Sequence, residues 1–252
     1  MANTALVWIR DDFRIQNNDA LTYASNKHDI VTAVFIFNSN IFDHKREAQK
    51  WWVSKSLENF KSDLKKLNIG LEIIKDDEIN FFSKIKSNSK ISVYWNKVYE
   101  PNELEKDKKI GTDFSKKNID FKFFKGNVLN EYNKITKNDG TPFKVYSPFW
   151  RNAEQFYLER LPDKINKVKK CKKINTLFKN QIKSEDILPK SDWYKKFEKY
   201  WEPSEQKAHE NLDNFVNKSI LNYGVDRDFP SIKGTSLLSP YIRNGQINVG
   251  DI

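Results

Sequence analysis

The chain has 252 residues, and its 44 basic against 34 acidic side chains give a formal net charge of +10 at pH 7. A basic balance of this size suits nucleic acid or another polyanion, although a solvated lysine-rich surface would have the same charge. Aromatic residues make up 14% of the chain, which supports a substantial core and argues against disorder.

Several classes of site and protein are excluded by what the sequence lacks. The single cysteine, Cys171, rules out an intrachain disulfide and a cysteine-rich metal centre. The histidines His28, His44 and His209 are far apart, so we expect no zinc site and no histidine-based catalytic triad. No signal peptide or apolar run of membrane-spanning length is present. We therefore expect a cytoplasmic monomer without a metal.

The first half of the chain alternates between predicted strands and predicted helices. Residues 17–25 start a helix with Asn or Asp at its cap, and residues 46–70 form a long amphipathic helix. The five predicted strands are TALVWIR (4–10), IVTAVFIFN (30–38), LEIIK (71–75), ISVYWN (91–96) and DFKFFKG (120–126). This alternation predicts an α/β domain over residues 1–126, a doubly wound parallel five-stranded sheet covered on both faces.

Sheets of this kind bind ligands beyond the carboxyl ends of their strands, where the strand order changes direction. The candidate segments are residues 8–14, after the first strand, and residues 96–103, after the fourth. No G-x-G-x-x-G follows the first strand, which argues against ordinary dinucleotide binding. Within the first segment, Arg10 and Arg14 are expected to form structural ion pairs rather than ligand contacts, because arginines more often have that role.

From residue 127 the pattern changes. Residues 127–202 have weak periodicity and many lysines, and they predict a long connector with a helix near residues 147–161. Residues 204–223 then predict a helix capped by Ser204, at the beginning of an all-α domain over residues 203–252. Its expected inner face consists of Ala208, Leu212, Phe215, Ser219 and Ile220.

Four motifs together resemble the DNA photolyase/cryptochrome family, and bacterial cyclobutane pyrimidine dimer photolyases in particular. They are LVWIRDDFRIQNNDAL (6–21), VYWNKVYEPNELEKDKKI (93–110), TPFKVYSPFWR (141–151) and YGVDRDFPSIKGTSLLSPYIRNGQI (223–247). Each motif is weak alone, but the four occur in the family's order. The resemblance implies an antenna-type α/β domain followed by the truncated beginning of a helical FAD-binding domain.

The resemblance also implies the chemistry. An excited, fully reduced flavin gives an electron to a pyrimidine dimer in damaged DNA, which has been turned out of the duplex. The implied FAD contacts are Tyr223, Thr235, Ser236, Leu237, Leu238 and Ser239. Hydroxyls and backbone N–H groups suit a pyrophosphate, although Thr235 or Ser236 could be an ordinary helix cap and Tyr223 a core residue. Arg227 is the implied DNA contact, or else a partner of Asp226 or Asp228.

An antenna chromophore is the second implied ligand, methenyltetrahydrofolate or alternatively a deazaflavin. Asn102 and Glu103 fall where folate-binding members contact the pterin, but both could instead simply open a helix. The family's tryptophan relay would follow residue 252, so we expect no catalytic residue within the chain and no repair by it alone. We also expect residues 204–252 to expose apolar side chains, including Leu237, Leu238 and Ile242. A cryptochrome-type photoreceptor and a stand-alone antenna or nucleotide-binding module remain alternatives.

Overall fold

A computed structural model describes residues 4–42, 47–131, 133–158 and 166–252. Five parallel strands form one sheet in the order β3-β2-β1-β4-β5. The strands are β1 (Thr4–Ile9), β2 (Ile30–Phe37), β3 (Gly70–Lys75), β4 (Ile91–Asn96) and β5 (Phe121–Phe124). The predicted doubly wound α/β fold is confirmed, since helices cover both faces of this sheet.

Nine helices accompany the strands in the part of the chain that the structure describes. They are α1 (Asp19–Lys27), α2 (Ser39–Phe42), α3 (Glu47–Lys66), α4 (Glu78–Ser83), α5 (Pro101–Lys116), α6 (Tyr146–Leu158), α7 (Glu205–Lys218), α8 (Tyr223–Asp226) and α9 (Ser239–Arg243). Short 3₁₀ turns occur at Ser87–Ser89, Ser184–Ile187, Asp192–Lys199, Ile220–Asn222 and Val249–Asp251. Within these ranges no helix is both long and apolar enough to cross a membrane.

The ends of three predicted helices can be compared with the structure in part. α3 ends at Lys66, directly before the stop predicted at residues 68–70, where Asn68 adopts a left-handed conformation (φ 57°) and Gly70 begins β3. The predicted start of this helix at Arg46 and the predicted end of α6 at residues 159–161 lie outside the described residues. α7 ends at Lys218, and of its predicted inner face only Ala208 is buried.

The sheet separates two apolar cores. On one face, α1 and α3 pack Leu21, Leu57 and Phe60 against β1 and β2. On the other face, Trp8 and Trp95 contact Phe82 of α4 and Phe114 of α5 at ring-centroid distances of 4.9 to 6.5 Å. These two aromatic and aliphatic layers hold the carboxyl ends of β1 and β4 side by side.

A third core joins α3 to the helical segment near the end of the chain. Trp51 and Trp52 of α3 pack with Ala208, Leu238, Tyr241 and Ile247. The indole N–H of Trp52 donates to Oε1 of Gln246 at 2.8 Å. The α/β body and residues 205–252 therefore share buried side chains.

Hydrogen bonds to the loop between β1 and α1 reinforce this joint. The Glu205 carboxylate accepts hydrogen bonds from the backbone N–H groups of Ile15 and Gln16, both at 2.7 Å. Buried Arg14 donates to the carbonyls of Gly245 (2.9 Å) and Asn17 (3.1 Å). The expected ion pairs of Arg14 are not found: within the described residues its guanidinium bonds these two backbone carbonyls, and the acidic groups around it, such as Asp12 and Glu205, act only through their charge.

Candidate functional site

The strand order changes direction between β1 and β4, and clefts open at this point. One cleft has a volume of about 520 Å³ and is lined by residues 96–101, together with Asp11, Asn127 and Arg243. A smaller cavity of about 160 Å³ lies beside it, between Trp8 and Glu103. Both candidate segments from the sequence, 8–14 and 96–103, contribute to these walls. The clefts therefore occupy the ligand position that doubly wound sheets favour.

Arg10, the first residue after β1, is held from four directions. Its guanidinium donates to Asp107 at 2.9 and 3.2 Å, to Glu103 at 3.3 Å and to the carbonyl of Asn96 at 2.7 Å. It also lies 4.1 Å from the ring centroid of Trp8. Burial raises the pKa of the Asp107 carboxyl, even though Arg10 acts in the opposite direction. The expected structural ion pairs of Arg10 are confirmed, and they fix one wall of the cavity.

Glu103 links Arg10 to a second cation. Its other carboxylate oxygen accepts from Lys106 at 2.7 Å, and Lys106 also donates to Glu78 at 3.0 Å. Burial lowers the pKa of Lys106, but the hydrogen bonds and charges of Glu103 and Glu78 outweigh it, so the pKa is raised. Glu103 lies in the first turn of α5, and Asn102 beside it is exposed. Glu103 thus faces the cavity as part of a charged network, whereas Asn102 lies on the surface.

Arg243 of α9 closes the space between the two strand ends. It donates to Asp11 at 2.5 Å and to Glu100 at 3.4 Å, and it lines both cavities. Burial raises the pKa of Asp11 despite the opposing effect of Arg243. The pKa of Arg243 is raised in turn, chiefly by the charge of Asp11. A residue of the helical segment is therefore part of the cleft in the α/β body.

A buried polar network fixes the backbone beneath the cleft. The Asn96 amide donates to Asp12 at 2.7 Å and to Asn18 at 2.9 Å, and its oxygen accepts from the N–H of Ala20. The Asn18 side chain in turn caps α1 by accepting from Leu21 N–H at 3.2 Å. The candidate segments 8–14 and 96–103 include Asp12 and Asn96, but the sequence assigned neither residue an individual role. Their signal was present, since both are polar residues at the ends of buried strands.

The second candidate site is the loop of residues 234–239. Thr235 and Ser239 are exposed and Ser236 is half-buried, so their hydroxyls are accessible. Leu237 has φ 54°, and Leu238 follows in the right-handed helical region (φ −82°, ψ −16°). A left-handed residue followed by a right-handed one turns successive N–H groups to one side, an arrangement that binds anions. A left-handed backbone conformation costs free energy in a residue such as leucine, and such residues are concentrated at functional sites.

The structure corrects two predictions for this loop. Leu238 was expected to be exposed, but it is only 3% exposed because it packs into the third core, and Ile242 is half-buried against the same core. Leu237 is 54% exposed, as expected. Neither Thr235 nor Ser236 caps α9, whose N-cap is Leu238 with no side-chain hydrogen bond. The Oγ of Ser236 accepts only a long bond, 3.4 Å, from Leu238 N–H.

Tyr223 and Arg227 lie together on the turn that precedes the loop. The Arg227 guanidinium is 5.6 Å from the Tyr223 ring centroid, and its Nε lies 3.6 Å from Asp228. The Asp228 contact is one of the two ion pairs considered from the sequence. Gly234 packs so closely on Asp226 that a Cβ there would lie 2.5 Å from the Asp226 Cβ. This approach brings Tyr223, Arg227 and the hydroxyl loop into one exposed segment.

Among the described residues no group of three or more histidine, cysteine, aspartate or glutamate side chains could hold a metal ion. The arrangement instead offers hydrogen-bond donors and a charged, partly apolar cleft. Such a combination suits an organic ligand with polar edges and, at the loop, a phosphate.

Comparisons with known proteins agree with this architecture. The sequence profile of the DNA photolyase family matches residues 5–167. A deoxyribodipyrimidine photo-lyase of Agrobacterium fabrum is 30% identical over 245 residues, which cover 96% of this chain and 51% of that protein. An uncharacterised 31.6 kDa protein of Synechococcus is 26% identical, with 97% of this chain and 86% of that protein covered.

Among solved structures, a bacterial class III photolyase from Agrobacterium tumefaciens superposes with a TM-score of 0.86 and 28% identity. The match covers 99% of this chain and 52% of that one. The chain thus spans about half the length of the photolyases that it matches. With the profile match over most of its length, the chain belongs to the DNA photolyase family.

Proposed function

We propose that this chain is the antenna-binding body and the first flavin-contacting segment of a light-dependent DNA photolyase that splits cyclobutane pyrimidine dimers. The observation that carries the proposal is the pairing of two sites on one joined body. The cleft between β1 and β4 and the hydroxyl loop 234–239 are connected through Arg243 and the third core. A light-harvesting ligand and a flavin would need this fixed relation between their sites.

FAD, when bound, would supply the electron that opens the dimer and take it back afterwards. In this chain Thr235, Ser236 and Ser239 would hold its phosphates with their hydroxyls. The N–H of Leu237 would add a donor, and the N–H of Leu238 would exchange its long bond to Ser236 Oγ for the phosphate, because the loop turns both groups to one side. Tyr223 would lie beside the same phosphates. These residues bind and orient, and none of them is assigned a catalytic step.

The cleft at the strand ends is the proposed antenna site. Glu103 would accept from the polar edge of a pterin, while Arg10 and Lys106 keep its carboxylate in place. Asn102 would close over the ligand from the surface of α5. This donor and acceptor set favours methenyltetrahydrofolate, with a deazaflavin as the alternative. Arg227, which is exposed on the same side as the loop, is the proposed contact to the backbone of damaged DNA.

Titration of the 252-residue chain with each ligand tests the proposal. Methenyltetrahydrofolate should bind, because the walls of the cleft are present, and its bound absorbance should report a stoichiometric complex. FAD should not bind measurably, since a loop of a few hydrogen bonds, each contributing about 0.5–1.5 kcal/mol, does not offset an association cost of at least about 4 kcal/mol. The chain alone should accordingly show no light-dependent dimer repair.

Two single variants test whether Glu103 contacts the folate. Glu103→Ala should weaken folate binding about tenfold or more, because a buried polar edge of the ligand loses its partner. Glu105→Ala is the matched control, since Glu105 is exposed on the same helix and has no ion pair within the described part of the chain. Equal affinities of the two variants, or stoichiometric FAD on the 252-residue chain, would overturn the assignment.

A second candidate is a stand-alone antenna-binding module. The observation that favours it is the 31.6 kDa relative, of which this chain covers 86%. Folate binding without flavin would fit both candidates. Flavin binding and repair by a longer chain that contains these residues would support the photolyase.

A further inference from the structure

A lysine-rich strip runs along the connector on the face of the sheet covered by α1 and α3. Residues 166–173 read NKVKKCKK, and the buried positions are Val168 and Cys171. Both buried side chains belong to the core under α1 and α3. The lysines between them therefore point away from the body of the protein and are exposed.

Hydrogen bonds fix the backbone of this segment at four places. The N–H of Asn166 donates to Asn17, the N–H of Lys169 to Ser25, and the N–H of Cys171 to the carbonyl of Leu67, at 2.8 to 3.0 Å. The N–H of Lys172 donates to the carbonyl of Asp29 at 3.0 Å. The strip is thus an ordered ridge rather than a loose charged loop.

The last turns of two helices extend the same surface. Leu67 directly follows α3, and Asp29 is the second residue after α1, so the lysines near both helix ends come close to the connector. We define the lysine strip as six exposed lysines that form no ion pair within the described ranges: Lys27, Lys65, Lys167, Lys169, Lys170 and Lys173. Among the carboxylates in this neighbourhood, Asp63 and Asp29 are paired with Lys66 and Lys172, and Asp19 accepts a hydrogen bond from the Asn166 amide at 3.1 Å.

Most of the strip lies away from both candidate sites. α3 carries Trp52 near its first turn, in the core shared with Leu238, and Lys65 and Lys66 in its last turn. A rise of 1.5 Å per residue separates these ends by about 20 Å. The end of the strip at residues 171–173 lies at the amino ends of β2 and β3, whereas the cleft lies at the carboxyl ends of β1 and β4. The other end begins at Asn166, which bonds Asn17 beside the start of α1, so the strip follows the length of α1.

We propose that the lysine strip binds the phosphate backbone of undamaged double-stranded DNA, as a second contact surface separate from the flavin end. When unpaired lysines on a fixed ridge neutralise closely spaced phosphates, the counterions condensed on the DNA are released, and this requires no base recognition. Residues 166–173 contain no aromatic side chain on which single-stranded bases could stack. They also lack the exposed apolar face with which an interfacial helix enters a membrane. Duplex DNA is the polyanion that these features favour.

The experiment measures binding of the purified 252-residue chain to a labelled, undamaged duplex of about 30 base pairs, in the dark and without flavin, over about 50 to 200 mM salt. The test variant is Lys167→Gln/Lys169→Gln/Lys170→Gln. Its slope of log K against log salt should be shallower by about 2.7, since each lost phosphate contact contributes about 0.9. Its affinity in the lowest salt should fall about tenfold or more.

The charge-matched control is Lys108→Gln/Lys109→Gln/Lys116→Gln, whose exposed lysines lie on α5, on the opposite face of the sheet. This variant should keep the wild-type slope. Equal losses in both variants would show a net-charge effect and overturn the proposal, as would no duplex binding by the wild-type chain. Tighter binding of single-stranded RNA or of phosphatidylserine vesicles through the same three lysines would also overturn it. Circular dichroism confirms that each variant is folded. Because no chromophore or lesion is involved, the result is independent of the proposed function.

Discussion

At the residue scale, Gly245 shows how closely the helical segment approaches the β1–α1 loop. Its φ is +62°, and a Cβ built there would lie 1.9 Å from the carbonyl oxygen of Asp11. Gly245→Ala should therefore destabilise the chain by at least about 2 kcal/mol, because the backbone must move in addition to adopting a left-handed alanine. Gly140→Ala is the control, since Gly140 has φ +79° with nothing within 4 Å of its Cβ. It should lose only about 1 kcal/mol. Urea denaturation measures both, and equal losses would contradict the packing argument.

At the element scale, residues 177–182 of the connector form a strap, a segment that is hydrogen-bonded to the edge strand β3. The Glu72 carboxylate accepts from the N–H groups of Leu177 and Phe178 at 2.6 and 2.9 Å, and Ile182 N–H donates to Ile73 at 2.9 Å. Glu72→Ala should release this strap, because each hydrogen bond to a charged group contributes about 1.5–3 kcal/mol. Limited trypsin digestion should then cut after Lys179 about tenfold faster or more. Glu58→Ala, which removes only a surface ion pair with Lys55, should leave the rate unchanged. Faster cutting in both variants would argue against the strap.

The same scale shows what the sequence could predict. All five strands and the long α3 followed from local apolar patterns, because β1, β2, β3 and β4 are buried on both faces or nearly so. The edge strand β5 exposes Lys122 and Phe123, and its signal is its three phenylalanines. The ion pairs of Arg10 were predicted in kind, but Asp107 as its partner was not, since the two residues are 97 positions apart. The packing of α3 against Tyr241 was not predicted either, because it too joins residues far apart in the sequence. Contacts between residues so far apart leave no periodic pattern in the sequence. The segments that line the cleft could therefore be predicted, but the position of Arg243 across the cleft could not.

For the molecule as a whole, one apolar core joins parts of the chain that the predicted domain boundaries at residues 126 and 202 separate. Trp51 and Trp52 belong to the α/β body in sequence, yet their rings contact Phe197, Trp201 and Tyr241 at 5.1 to 5.6 Å. A core that spans both parts makes their unfolding cooperative. The cleft between β1 and β4, which Arg243 helps to close, consequently depends on the fold of residues 205–252.

Two adjacent leucines test this cooperativity. Leu238 is 3% exposed in the shared core, while Leu237 beside it is 54% exposed. Leu238→Ala should lower the free energy of unfolding by about 2–4 kcal/mol, because it leaves a cavity beneath Trp52 and Tyr241. Leu237→Ala should change it by less than about 0.5 kcal/mol. If the chain unfolds as one unit, Leu238→Ala must shift the far-ultraviolet circular dichroism transition, dominated by the α/β body, as much as the tryptophan fluorescence transition. A shift of the fluorescence alone would mean that residues 205–252 detach while the sheet stays folded, and the shared core would then be only a local contact.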